Sequence, residues 1–344
     1  MRFSPRAFFL SVLLISCLFA RPLPAVAHEV YVLTPAEVAR DVAADSPNPL
    51  TAAVAEKTRF AVWAFVGVVV VSIIFFFSIS RRLERTLDPW LLRLKRFAPL
   101  IARLTLGTSL LASGYFGSLF GPELPLRVVL GGLTIDVRWL ITLVGFLILI
   151  GFWSRLAAGI MAAVFLVFAG FYDFYMLNYL TYVGVAAIIL AVGSHAFSLD
   201  HFFTPVKRAD EFLTHHQYLI LRIFFGISLI YASLYAKFWH SQLALDTVTK
   251  YHLTDYFPFA PLFLVLGASI IELLIGVFII VGIELRFTAL FFMVFLTLSV
   301  LYFGEAVWPH LILYGTALVV FTHGYDRYTL EGYYFKRGSA EPVF

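Results

Sequence analysis

One carboxylic acid stands inside an otherwise apolar stretch of the chain: Glu272, in Ala268-Ser-Ile-Ile-Glu272-Leu-Leu-Ile-Gly276. An ionisable group at membrane depth is expensive and faces a partner or a cavity. Two roles fit the position. Glu272 could accept protons or bond a quinone head group, with a raised pKa. It could equally be a neutral or paired carboxyl that locks helix packing, with Tyr231 or Tyr235 as donor. Lys237, beside Trp239 and His240, closes the preceding apolar stretch. A lysine there either snorkels to the interface or reaches back to Glu272. The axial gap is about six helical residues, or about 9 Å, which two long side chains could nearly close.

Other polar residues form looser sets. Glu305 and His310 precede the last apolar stretch, and with His240, Asp246 and His252 they either line a vestibule or decorate loops. His195 and His323 lie near the ends of two apolar stretches, but haem is not expected, since a bis-imidazole site needs facing ligands. His201, His215 and His216 accompany Asp200, Asp210 and Glu211 without a tight ligand spacing, so no metal site is expected. His28 would chelate copper only as a free N-terminus. Asp173 with Tyr172, Tyr175, Tyr179 and Tyr182 reads as an aromatic belt rather than a site. Walker, GxGxxG and HExxH motifs are absent, which removes support for nucleotide hydrolysis, dinucleotide binding and zinc proteolysis. The only cysteine is Cys17, and no CxxCH occurs; internal disulfides, Cys-zinc sites and iron–sulfur clusters are excluded.

Positioning such residues requires membrane helices. Apolar residues make up 61% of the 344 and charged ones 13%, beyond what a soluble core can bury. The lipid bilayer is therefore the expected partner. The net charge of +4 is spread between apolar segments, so nucleic acid is not expected. Arg2 and Arg6, the apolar run from Ala7 to Ala20 and Ala25-Val26-Ala27 form a signal peptide over residues 1–27; Leu14-Ile15-Ser16-Cys17 offers a lipoprotein alternative. An external segment (28–59) follows. Nine apolar stretches then read as spans: Phe60–Ile79, Leu100–Leu119, Val137–Trp153, Leu156–Phe174, Leu177–Phe197, Tyr218–Phe238, Pro261–Gly282, Phe287–Tyr302 and Pro309–His323. The expected fold class is all-α, a polytopic bundle of about nine transmembrane helices. With the mature N-terminus outside, 15 Lys and Arg fall on the cytoplasmic side and 7 outside. The positive-inside rule favours that orientation, with a cytoplasmic C-terminus in the cell inner membrane. The segment Arg81 to Arg96 reads as a basic interfacial helix.

The chain also repeats itself. Gly145, Gly151, Arg155 and Gly184 recur 131 residues later as Gly276, Gly282, Arg286 and Gly315, and Ser198-Leu199-Asp200 as Thr329-Leu330-Glu331. Arg103 and Gly107 match Arg222 and Gly226 at an offset of 119, the difference being an enlarged loop around Trp239 to Phe259. Four spans per copy make this a parallel repeat.

The second copy resembles the DoxX family of four-helix membrane proteins. It does so in Arg222, Gly226 and Lys237, then Glu272, Gly276, Gly282 and Arg286, and finally the Ser-Leu-Asp-like tripeptide. Two modules are expected, at 99–200 and 218–331, joined by a linker at 201–217. They are preceded by a first helix and basic segment at 60–98 and followed by a tail at 332–344. The first copy has Ser118 near the lysine position and Ile141 at that of Glu272, so only the second retains both groups. The resemblance implies an oxidoreductase or a membrane partner of one, in some members linked to the quinone pool. The expected function is thus an accessory or membrane subunit of a quinone-linked redox system with a redox partner protein. Glu272 and Lys237 are its candidate catalytic residues, and His240, His310, Tyr231 and Tyr235 weaker cofactor-binding candidates. A non-enzymatic small-molecule carrier or membrane receptor is the alternative, because parallel repeats around a midplane polar residue also describe transporters.

Overall fold

The computed structural model describes residues 32–55, 58–192 and 211–335. The signal segment, His28, His195, Ser198-Leu199-Asp200 and His201 lie outside them. The described residues are helical and hold no β-strand. The longer helices are α1 (Pro35–Ala43), α2 (Arg59–Lys95), α3 (Ala98–Phe116), α4 (Thr134–Ile150), α5 (Ser154–Tyr172), α6 (Leu180–Val192), α7 (Glu211–Leu234), α8 (Ser241–Lys250), α9 (Pro261–Val281), α10 (Leu285–Phe303) and α11 (Leu311–His323).

Each of the nine expected stretches is mostly helical in its described part, but among the described residues six segments, not nine, are long and apolar enough to cross a membrane. The shortfall has physical causes. Segment Ser154–Val192 counts once, yet at Asp173 (φ 48°, ψ −135°) the chain leaves α5, and a 3-10 turn (Asp173–Tyr179) leads back into α6. Helix α3 carries Arg103, Thr105, Ser109 and Ser113, all buried among other helices, so it needs less apolar surface. Helix α11 has only 13 residues. The chain is a multi-pass membrane protein. Helix α2 also corrects an expectation: Arg81 to Arg96 is no separate interfacial helix, because one continuous helix of 37 residues runs through Lys95. At 1.5 Å per residue it is about 55 Å long, well beyond the ~30 Å hydrocarbon core. Phe60, Trp63, Val68, Val71, Ile74 and Phe75 on α2 are exposed, as a lipid-facing helix requires.

The remaining long helices form two groups of four, α3–α6 and α7 with α9–α11. Helix α3 lies along α4 and α7 along α9; α6 packs against α7, and α11 against α3, which closes a ring. Glycines set the closest approaches. A Cβ on Gly145 would lie 3.0 Å from the Gly107 carbonyl oxygen, and one on Gly276 3.0 Å from that of Gly226. Helices α4 and α9 both end on a left-handed glycine, Gly151 (φ 74°) and Gly282 (φ 77°). Two residues on, Trp153 and Glu284 are left-handed as well, at the starts of α5 and α10.

Loops sort onto two faces. The upper face carries α1, α8, the 117–125 turn, the 3-10 turn after α5 and the segment 304–310, tied by contacts such as Ser241–Pro47, Phe120–Tyr179 and Phe116–Trp308. The lower face joins Ser80 to Glu284 and α7 to the segment 324–335. There Arg222, 2% exposed, donates to the Tyr328 carbonyl at 3.0 Å and lies 3.8 Å from Asp326. His323 stacks on Tyr218 at 3.5 Å.

Candidate functional site

Small residues bring α7 and α9 together. Above the Gly226–Gly276 crossing, the buried hydroxyls of Ser233 and Ser269 meet at 3.0 Å. One turn further up, α7 gives way to a π-helical turn, Tyr235–Trp239. The wider turn rotates the chain and sends Lys237 inward, where it is 2% exposed rather than snorkelling to the interface. Lys237 Nζ lies 2.9 Å from Glu272 Oε2. The expected 9 Å separation is thus closed, and the lysine, not Tyr231 or Tyr235, partners Glu272. The two tyrosines instead stack near each other, Tyr231 against Trp239 and Tyr235 against His240 and Tyr175. In the first group of helices Ile141, 2% exposed, belongs to the apolar core, and no such pair forms.

The Lys237–Glu272 pair borders a cavity of about 150 Å³ whose other walls are mainly apolar. Leu229 and Ala232 come from α7, Ala268 and Ile275 from α9, Phe292 and Leu296 from α10, and Leu313 from α11. Ser299 and Glu305 add polar atoms to the wall. Ala244, Thr247 and Val248 of α8, together with Val32, close it from above.

Glu305 and His310 do not join an open vestibule with His240, Asp246 and His252. They form a separate pair, Oε2 to Nε2 at 3.0 Å, with each side chain 1% exposed. His310 Nδ1 lies 3.0 Å from the Ala306 carbonyl oxygen. Because a carbonyl only accepts, that ring nitrogen carries hydrogen. Ser299 donates to Glu305 Oε1 at 3.4 Å. Asp246 turns outward to Arg40 and Gln242, and His252 sits in a left-handed turn.

His310 also borders a second cavity, about 100 Å³, walled by Glu123, Tyr175, Asn178, Tyr179, Tyr182 and Tyr235. This corrects the aromatic-belt reading in part. Tyr182 is 0% and Tyr179 6% exposed, and both turn into the bundle where α6 meets α7. A belt and a buried cluster share the same composition; only the chain reversal at Asp173 distinguishes them.

Sequence reasoning also missed the role of the N-terminal segment. A capping box starts α1: the Glu37 backbone N–H donates to Thr34 Oγ1, and the Thr34 N–H to Glu37 Oε2. Helix α1 then docks on α8 through Glu37–Lys250 (2.9 Å) and Arg40–Asp246. Lys250 Nζ also donates to the Val32 carbonyl, 3.2 Å away. Hydrogen bonding from the Thr34 backbone, then from Lys250, holds the Glu37 carboxyl down at about 2. The signal available beforehand was opposite charge on two short amphipathic segments, Glu37 and Arg40 against Asp246 and Lys250.

Among known proteins, no curated sequence and no solved structure matches the chain. The DoxX family model matches residues 218–305. That stretch runs from α7 through the Lys237–Glu272 pair to Glu305, so this multi-pass membrane protein is similar to the DoxX family over the part of the chain that holds the pair.

Proposed function

We propose that the chain is an accessory or membrane subunit of a quinone-linked redox system, working with a redox partner protein. The observation that carries the reading is the Lys237–Glu272 pair on the wall of an otherwise apolar cavity within the DoxX domain. A cavity of about 150 Å³ takes one six-membered ring in an engineered protein core, so a quinone head group fits by size. The Lys237 ammonium is a hydrogen-bond donor on that wall and the group suited to a ring carbonyl. Glu272 keeps that ammonium charged and in place. A quinone supplies two-electron, two-proton redox chemistry when bound. An apolar crevice of about 260 Å³ between α2 and α9–α10 shares Ile275 with the cavity and suits an isoprenoid tail.

The reading extends to architecture. We propose two tandem DoxX-like modules, at 99–200 and 218–331. The equivalent glycine crossings, the paired left-handed residues 131 positions apart and the ring-like packing support it. The upper face is proposed as external and the lower as cytoplasmic, supported by the 15-to-7 bias of basic residues. The decisive experiment is extraction of quinone from protein purified in mild detergent. Wild type should carry quinone, and the double variant Lys237→Met/Glu272→Met should lose it at equal abundance. No co-purifying quinone, combined with solute flux in proteoliposomes lacking any redox partner, would replace this reading with a carrier.

A further inference from the structure

We infer that Glu305 and His310 form a proton-transfer site connecting the two cavities, independent of what occupies the larger one. The wall between the cavities consists of Leu229, Ala232 and Leu313, which line both. The dyad is the polar crossing of that wall: Glu305 borders the first cavity and His310 the second, with Oε2 and Nε2 3.0 Å apart. Both side chains are 1% exposed, so a full unbalanced charge on either would be costly. Since Nδ1 already carries hydrogen toward Ala306, Nε2 facing a carboxylate carries a second one; facing a carboxylic acid it accepts. The contact is within ion-pair distance but is not aligned as a hydrogen bond, so a proton is passed there by movement of the ring.

The second cavity supplies the route outward. Its tyrosine, asparagine and carboxylate lining, and a volume of about 100 Å³, meet the polar and spatial requirements for several waters. Transfer then balances as follows. A hydroxyl or acid in the first cavity gives a proton to Glu305, beside Ser299. With the carboxylate neutralised, the His310 ring is no longer held by an ion pair; it turns its Nε2–H to the second cavity, releases that proton to water there and turns back. The carboxylic proton of Glu305 moves to the freed Nε2, and the dyad is restored. One proton has crossed: the donor in the first cavity keeps the negative charge, water in the second cavity carries the positive charge outward, and the dyad's own charge is unchanged. The titratable groups facing this site are Lys237 and Glu272 across the first cavity, Glu123 and the tyrosines Tyr175, Tyr179, Tyr182 and Tyr235 across the second, and Tyr251 near Glu305.

Infrared difference spectroscopy of the full chain in lipid nanodiscs tests this, using buffer pH steps and exchange into D2O as the probes. Wild type should show a carboxyl band and an imidazole band that titrate together and exchange within seconds. Glu305→Gln and His310→Gln should each remove both signals. Asn178→Phe, which narrows the second cavity away from the dyad, should keep both bands but slow exchange by roughly tenfold or more. Bands that titrate separately, exchange in wild type over hours as in a dry core, or exchange unchanged by Asn178→Phe would each overturn the inference. The Asn178 arm keeps the test valid if either dyad variant fails to fold.

Discussion

Removing one member of the Lys237–Glu272 pair should cost far more than removing both. At 2.9 Å and an effective dielectric constant of about 20, the gross attraction is about 6 kcal/mol. Dehydration of both ions offsets most of it, so the pair is worth little net. A lone buried ion keeps its dehydration and loses the attraction, at a cost of about 3–5 kcal/mol. The two singles should also differ. Lys237 is 3% exposed and Glu272 15%, so the lysine left behind in Glu272→Gln is the drier ion. Glu272→Gln should therefore destabilise more than Lys237→Met, which leaves a partly hydrated carboxylate. The double Lys237→Met/Glu272→Met should return to within about 1–2 kcal/mol of wild type. Equilibrium unfolding of the full chain in mixed detergent micelles measures all four corners of the cycle. A coupling below about 0.5 kcal/mol, or a double variant as unstable as the worse single, would refute the electrostatic argument. The same double variant separates packing from function. If the pair only locks helices, the stable double variant retains bound quinone; if it holds the head group, stability returns and quinone does not.

Three further outcomes follow from the geometry. Gly226→Ala should cost about 1–3 kcal/mol of stability, because its Cβ would lie 2.6 Å from the Gly276 carbonyl oxygen; Gly107→Ala, whose Cβ would lie 2.9 Å from the Leu149 backbone, should behave alike in thermal unfolding. Glu37 has a folded pKa of about 2 against an ordinary 4.5, so docking of α1 should be strongest above about pH 4.5 and weaken as pH falls toward 2. Protease accessibility of the N-terminal segment reads this out, and Glu37→Gln should flatten the dependence. Cysteines at the exposed Thr249 and Arg327 should react with impermeant reagent from opposite sides of the membrane, Thr249→Cys from outside; labelling of Arg327→Cys from outside in intact cells would invert the topology.

The helices were legible because twenty-residue apolar runs have few alternatives in a membrane. The two candidate residues Glu272 and Lys237 stood out for the same reason, as ions where ions are costly. Their contact was not legible. An ideal α7 leaves them about 9 Å apart along the axis, and the π-helical turn at Tyr235–Trp239 that redirects Lys237 has no glycine or proline to announce it. Tyr179 and Tyr182 were read as interfacial because tyrosine suits that depth; the chain reversal at Asp173 buries them instead. Glu305 and His310 looked like loop polarity since the segment between α10 and α11 is short and mixed, and only the fold shows both side chains enclosed.

Buried charge occurs at both ends of the bundle, in different surroundings. At the lower face, ions are embedded in solid packing. A Cβ on Gly282 would lie 2.6 Å from Thr329, and one on Gly324 2.8 Å from the Arg286 guanidinium. Arg222 donates to a backbone carbonyl, and Glu331 accepts from the Leu285 N–H at the start of α10. Those ions hold the segment 324–335 against the helices. At the upper face the two pairs, Lys237–Glu272 and Glu305–His310, stand on cavity walls. Helix α8 and Val32 close the larger cavity, and α1 clamps α8 by ion pairs outside it. An ion needed only for packing gains nothing from an adjoining void, since lost contacts and incomplete solvation both disfavour it. Two ion pairs beside cavities are therefore the arrangement that calls for a ligand, which is why the proposed function rests on the upper end of the bundle.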